Sequence, residues 1–186
     1  QIMQAAGAPH LHVSSQRWGA TLEKEALDPS LLQGVRRVVV FEMPGAEIEE
    51  KWRKMGLEVV VIDHHSYKEF DRRHPESSLE QLMNLIHWPK TRVDGAIAVN
   101  DRGYIPGLKK LGLSEEEIRA IRKYDLMAQG RSATDVDHDT AAAQALIPTL
   151  PVRHGVTILD RVGMDETILK QELAIRAPDG LASTFE

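Results

Sequence analysis

The stretch from Val35 to His65 constrains the fold more than any other part of the chain. Val38, Val39, Val40 and Phe41 make one β-branched and aromatic run, and Val59, Val60, Val61 and Ile62 make a second. Between them Ile48, Trp52 and Met55 recur at i, i+4 and i+7, the spacing of one helix face. Pro44 suits the first helical turn and Gly56 suits a C-cap. Strand, helix and strand within about 30 residues make a βαβ crossover, which implies parallel neighbours. Consecutive rather than alternating Val and Ile fit strands buried on both faces. The second run stops at Asp63-His64-His65. Open α/β sheets place their chemistry at the carboxyl ends of strands, and a carboxylate with two imidazoles there suits a divalent cation and a phosphate.

The rest of the chain extends this pattern. Pro9–Val13 reads as a short first strand and Gly19–Leu27 as a short helix. Ser78-x-x-Gln81 has the form of a capping box opening a helix through Ile86. Val93–Val99 reads as a further strand that ends at Asn100-Asp101-Arg102-Gly103. Ser114-x-x-Glu117 is a second capping box, with Ile118, Ile121 and Leu126 behind it, and Asp137–Leu146 is an Ala-rich helix. Pro148 and Pro151 mark a boundary. Beyond them Val156–Leu159 and Glu172–Arg176 read as strands around a short helix, Met164–Leu169. The expected fold is α/β: a doubly wound, mostly parallel sheet with flanking helices and a short C-terminal α+β appendage. The domains are residues 1–147 and a C-terminal extension, 148–186.

Composition narrows the function classes. A net charge of -5 supplies no broad basic face, which argues against long duplex DNA as a partner and leaves room for a small phosphorylated or nucleotide ligand. The chain has no cysteine, so disulfides, zinc–thiolate sites and cysteine nucleophiles are excluded. No apolar run approaches the roughly 20 residues that span a bilayer, and no secretory signal is visible, so the expectation is a cytoplasmic protein without membrane contact. The C-terminal strand pair leaves an edge that a second subunit could cover, so a homodimer is compatible with the sequence.

Three expected strands end in candidate ligands: Glu42, Asp63-His64-His65 and Asp101. On one edge of a parallel sheet such groups converge, which is what a metal-dependent hydrolase needs. Arg102 and Gly103 add a guanidinium that can fork onto phosphate and a glycine that lets backbone approach. The acids of Asp135-x-Asp137-His138-Asp139 are read as the acidic start of a helix, with replacement metal ligands as the alternative. Arg72, Arg73 and His74 are read as solvated. Tyr67 and Tyr104 are read as packing or as stacking platforms.

Asp63-His64-His65 after a hydrophobic strand resembles the signature of the DHH phosphoesterase superfamily, and the element order from residue 35 to about 130 fits that family's N-terminal domain. The resemblance implies a phosphoesterase using a divalent metal, Mn2+ with Mg2+ as the alternative, on substrates from oligonucleotides and cyclic dinucleotides to polyphosphates. It implies His64 as a metal ligand, His65 beside the substrate phosphate, Glu42 and Asp101 as further metal ligands, and Asp63 as the group that orients a histidine or joins the metal shell. In this reading His65, Asp63 and Arg102 are catalytic, and His64, Asp101, Glu42 and His12 hold metal.

The chain departs from the family at its first motif, a His followed four and six positions later by Asp. His12 is the best match, but Gln16 and Trp18 occupy the two acidic positions. The glycine-rich, histidine-containing motif of the family's second domain has no counterpart in residues 151–186. Two functions therefore stand open: a metal-dependent phosphoesterase, and a DHH-like binding or regulatory module with a degenerate site.

Overall fold

The computed structural model describes residues 10–16, 19–25, 27, 29–68, 71–153, 156–157 and 166–177. The chain divides into two compact units, Gln1–Leu85 and Ile86–Glu186.

In the first unit β1 (Arg37–Phe41), α1 (Ala46–Lys54) and β2 (Glu58–Ile62) form the βαβ crossover, followed by α2 (Ser78–Leu85). The strands are parallel, with Arg37 opposite Glu58 and Phe41 opposite Ile62. Val40, Trp52 and Leu22 are buried together, and Val38, Ile48, Leu57 and Val59 pack around them. Ile48 and Trp52 of the expected stripe therefore cover the sheet, whereas Met55, the C-cap of α1, is 60% exposed and leaves it. Leu22 belongs to a short 3-10 turn, Leu22–Lys24, in place of the helix expected over Gly19–Leu27. His10–Val13 carries no strand pairing, and Pro9 lies outside the described residues.

Gly45, just before α1, is a point of close approach. A Cβ there would lie 2.3 Å from Leu22 Cβ, an atom fixed next to the backbone. Its φ of 177° is ordinary extended backbone, so contact alone carries the effect. Gly45→Ala is expected to push the Leu22 turn away and cost about 1–3 kcal/mol. Urea denaturation followed by Trp fluorescence checks this, and an unchanged midpoint would show that the turn shifts freely.

The second unit is mainly helical: α3 (Arg92–Lys110), α4 (Glu115–Ala128), α5 (Ala133–Leu146) and α6 (Glu166–Arg176). Two-residue strands β3 (Val152–Arg153) and β4 (Val156–Thr157) pair antiparallel; residues 158–159 of the expected strand lie outside the described residues. One apolar cluster joins Ala96, Ile105 and Leu108 to Ile118, Ala174 and Ile175; another joins Leu126, Val136 and Ala143 to Ile168 and Leu169. α6 contributes to both.

Two strand expectations are corrected here. Val93–Val99 lies inside α3. Thr91 accepts a hydrogen bond from the Asp94 amide (3.2 Å) and the Asp94 carboxylate accepts from the Thr91 amide (2.9 Å), a capping box that starts the helix and overrides the β-branched composition. Glu172–Arg176 is the last half of α6. The mostly parallel, doubly wound sheet is thus a two-stranded parallel sheet among the described residues, and helix dominates. α3 kinks at Tyr104 (φ 48°, ψ -150°), two residues before Pro106, whose ring cannot follow a straight helix.

Candidate functional site

The site lies at the carboxyl edge of the β1–β2 pair. Glu42 follows β1 directly. Its amide donates to the Ile62 carbonyl at 3.0 Å, so the ladder runs one residue beyond the strand. Its φ of 47° then turns the chain sharply, a left-handed conformation uncommon outside glycine. Across the edge β2 delivers Asp63, His64 and His65. Glu42, His64 and His65 each offer a ligand atom, and these atoms lie within 4.8 Å of one another. His64 Nε2 stands 3.4 Å from Glu42 Oε1. Ligands on one cation at about 2.1 Å lie no more than about 4.2 Å apart, so the three side chains are near enough to share one ion once they draw together.

Asp63 organises this edge. Its side chain is 1% exposed. Oδ1 accepts from the amides of His64 (2.8 Å) and His65 (3.0 Å) and from His65 Nδ1 (3.0 Å), while Oδ2 accepts from the Tyr67 hydroxyl (2.8 Å). An ionised carboxylate only accepts, so Nδ1 of His65 carries the proton and Nε2 offers its lone pair. This is the way carboxylates orient metal-ligating histidines. Burial opposes ionisation of Asp63, but the hydrogen bonds from His65, Tyr67 and His64 outweigh it and hold the pKa below the usual carboxylate value. Burial and the bond to Asp63 push the Tyr67 phenol well above its ordinary value. The two imidazole rings lie 4.3 Å apart, tilted by 44°.

The loop after the histidines closes back on them. The Arg72 amide donates to the His65 carbonyl at 3.0 Å, and Ser66 bridges to Asp71. Arg72, read as solvated from sequence, is corrected: its side chain is 16% exposed and pairs with the buried Glu49 of α1 at 2.5 Å. Glu49 lies three residues before Trp52, on the same buried face, and that spacing was the available signal. The capping box of α2 is also one residue earlier than expected. Ser77 and Glu80 form it, which frees Gln81 to donate to the Asp63 carbonyl at 2.8 Å.

Other candidates lie elsewhere. His12 Nε2 is 2.7 Å from Glu25, which also accepts from Ser14 Oγ (2.6 Å) and Gln16 Nε2 (2.5 Å). Gln16 further pins the turn by bonding both the carbonyl and the amide of Thr21. Arg17 and Trp18 lie outside the described residues. Asp101 and Arg102 sit in α3 of the second unit, so neither stands at a strand's carboxyl end. Asp137 pairs with Lys123 (2.6 Å) and Asp139 with Arg131 (2.5 Å), the behaviour of acids in the early turns of a helix. The Tyr104 ring lies under the Arg122 guanidinium, 4.2 Å away.

The Glu25 cluster has a pH signature. Hydrogen bonds from Ser14, His12 and Gln16 lower the Glu25 pKa from 4.5 to about 2. A pKa lowered by folding contributes stability above the unfolded value and loses it as pH falls through the folded one. The packing of His12, Ser14 and Gln16 on Glu25 is therefore expected to be complete above pH 4.5 and to loosen between there and pH 2. Amide hydrogen exchange across that range, wild type against Glu25→Gln, checks this; identical profiles would remove Glu25 as the cause.

No family model, no curated protein and no solved structure matches the chain. Fold and site together define a mixed α/β protein with an acid–histidine–histidine cluster at the carboxyl edge of a parallel strand pair. No helix among the described residues is long and apolar enough to cross a membrane.

Proposed function

We propose that the chain is a divalent-metal-dependent phosphoesterase acting on a small phosphorylated or nucleotide substrate, similar to the DHH superfamily. The observation that carries this reading is the gathering of Glu42, His64 and His65 within 4.8 Å at the strand edge. Glu42 and His64 hold the cation, Mn2+ or Mg2+. His65, fixed by Asp63, faces cation and phosphate. A bound divalent cation supplies Lewis acidity, polarising a phosphoryl oxygen and acidifying water. Asp63 keeps the proton on His65 Nδ1, so the lone pair of Nε2 stays directed into the site. Asp101, Arg102 and His12 remain candidates from the resemblance alone. A cytoplasmic location and a homodimer belong to the same reading.

A second reading has its own support. Gln16 occupies the first of the two acidic positions of the family's opening motif, and its amide is committed to Thr21 and Glu25. A site so altered is consistent with ligand binding without hydrolysis.

Calorimetry with Mn2+ separates them. The wild type is expected to bind one ion, and His64→Ala to weaken it by more than about 100-fold, above the range that loss of an outer-shell partner produces. A generic phosphodiester such as bis-p-nitrophenyl phosphate then reports turnover. Binding with no turnover selects the binding module, and equal binding by His64→Ala rules out the cluster as the metal site.

A further inference from the structure

Turn chemistry at the end of β2 bears on which cation the edge suits. Successive residues of a strand point to opposite faces, so neighbouring histidines on a strand do not meet one ion. Here β2 ends at Ile62, and Asp63 Oδ1 accepts from the amides of His64 (2.8 Å) and His65 (3.0 Å). An Asp side chain that bonds the amide two residues on makes a tight turn of the backbone. The two imidazoles are thereby brought together, their centroids 4.3 Å apart, and each offers a ligand atom beside Glu42. Glu42 comes from β1 through a left-handed backbone, φ 47°, which glycine would adopt at lower cost. A glutamate at that position brings a carboxylate to 3.4 Å from His64 Nε2.

Among the described residues the donor set is therefore two imidazole nitrogens and one carboxylate. Asp63 adds no further donor, because its oxygens accept four hydrogen bonds and its side chain is 1% exposed. Mg2+ prefers oxygen ligands in a near-ideal octahedron and gives up its waters reluctantly. Imidazole suits later transition ions, and Mn2+ stands lowest among these in affinity. Cu2+ and Ni2+ favour tetragonal sites, and Fe2+ on such a set serves oxygen chemistry, which a phosphoesterase does not use. Zn2+ has no redox chemistry and no geometric demand of its own, and two histidines with one glutamate is a set that holds it in hydrolytic sites. A carboxylate on the far ring nitrogen strengthens a histidine as a zinc ligand, and Asp63 stands 3.0 Å from Nδ1 of His65.

We propose that the cluster holds one Zn2+ through Glu42, His64 Nε2 and His65 Nε2, so that His65 is a metal ligand and not a contact to phosphate alone. Mn2+ takes the same donors more weakly, and Mg2+ does not compete. The inference rests on the metal reading, whose Mn2+ and Mg2+ come from the resemblance; the donor set singles out Zn2+.

The test uses the full chain freed of metal by a chelator, and competition calorimetry with Zn2+, Mn2+, Mg2+ and, with oxygen excluded, Fe2+. The wild type is expected to bind one Zn2+ at least about 100-fold more tightly than Mn2+, with Mg2+ in excess unable to displace it. Co2+ in place of Zn2+ reports the geometry through its visible spectrum: the intense bands of a four- or five-coordinate ion are expected, and the faint bands of a six-coordinate ion would overturn the proposal. His65→Ala, with its fold checked by circular dichroism, is expected to weaken Zn2+ by more than about 100-fold, beyond the loss that an outer partner causes. Unchanged Zn2+ affinity in that folded variant overturns the proposal, and shows zinc on other histidines. Mn2+ or Fe2+ bound as tightly as Zn2+ overturns it as well, while leaving the metal reading in place; this comparison needs only the wild type. If none of the ions binds, the metal reading and the zinc inference fall together.

Discussion

Asp63→Ala is expected to cost about 3–5 kcal/mol of stability and to abolish Mn2+ binding in the same protein. The carboxylate is buried and accepts four hydrogen bonds: two from backbone amides, one from an imidazole and one from a phenol. Truncation removes the shared acceptor of the His64 and His65 amides and the Tyr67 hydroxyl at a buried position, and each group that finds no new partner costs about 1–3 kcal/mol. The loop after the histidines would keep the ties of Arg72 to the His65 carbonyl and to Glu49 and the Ser66–Asp71 bridge. Asp63→Asn separates the two effects. Its amide oxygen still accepts from the backbone amides, so the fold should suffer less, but a neutral group no longer holds Nδ1–H of His65 firmly, and metal affinity should fall about 10–100-fold. The sign of the pH dependence follows from the lowered pKa: the Asp63 contribution is full above the ordinary carboxylate range and is lost as pH falls through and below it. Urea denaturation followed by Trp fluorescence gives the stability, and calorimetry gives the affinity. A loss under about 1 kcal/mol for Asp63→Ala would show that the four bonds re-form to water and that the edge is not built around this residue.

The crossover was legible because two signals agreed. β-branched runs at Val38–Phe41 and Val59–Ile62 flank a helical period with Pro44 and Gly56 at its ends, and local and global preferences coincide. The strand edge holding Glu42, His64 and His65 followed from it. Val93–Val99 was misread because Val and Ile outweighed Thr91 and Asp94, although the Thr-x-x-Asp spacing of a capping box stood in plain view. Arg72 was misread because a run of Arg72, Arg73 and His74 looks solvated in one dimension. Only the loop that returns to the His65 carbonyl shows that Arg72 reaches Glu49 while Arg73 turns outward to Asp71. His12 was singled out by a motif whose acids are missing, and the structure sets its Nε2 2.7 Å from Glu25, a partner 13 residues away that the motif gave no reason to look for. Glu172–Arg176 failed for a further reason. A helix buried over most of its surface loses the polar stripe that betrays a helix in sequence, and two of its polar residues, Gln171 and Glu172, are inside.

Those two residues set the second large expectation. Glu172 is fully buried on α6, the helix that contributes to both apolar clusters, and Arg119 of α4 clasps it through Nε at 3.0 Å and Nη2 at 3.0 Å. One turn along α4, Arg122 reaches Gln171 at 3.0 Å and Asn100 at 3.1 Å. The pair of arginines thus fixes the register of α6 against α4 as two teeth fix a rack. Glu172→Ala is expected to cost about 2–4 kcal/mol: breaking a buried pair costs about 3–5, and Arg119, with its side chain 23% exposed, recovers part by turning to water. Charge is costly to bury, so an apolar replacement of both partners behaves differently. Arg119→Met with Glu172→Leu fills the same volume and is expected to restore most of the loss, because neither ion needs desolvating. Thermal unfolding followed by circular dichroism at 222 nm reads chiefly this helical unit and should show the double variant well above Glu172→Ala. A double variant as unstable as the single one would mean that the ion pair carries geometric information that packing cannot supply, and that α6 depends on charge for its place between the helices.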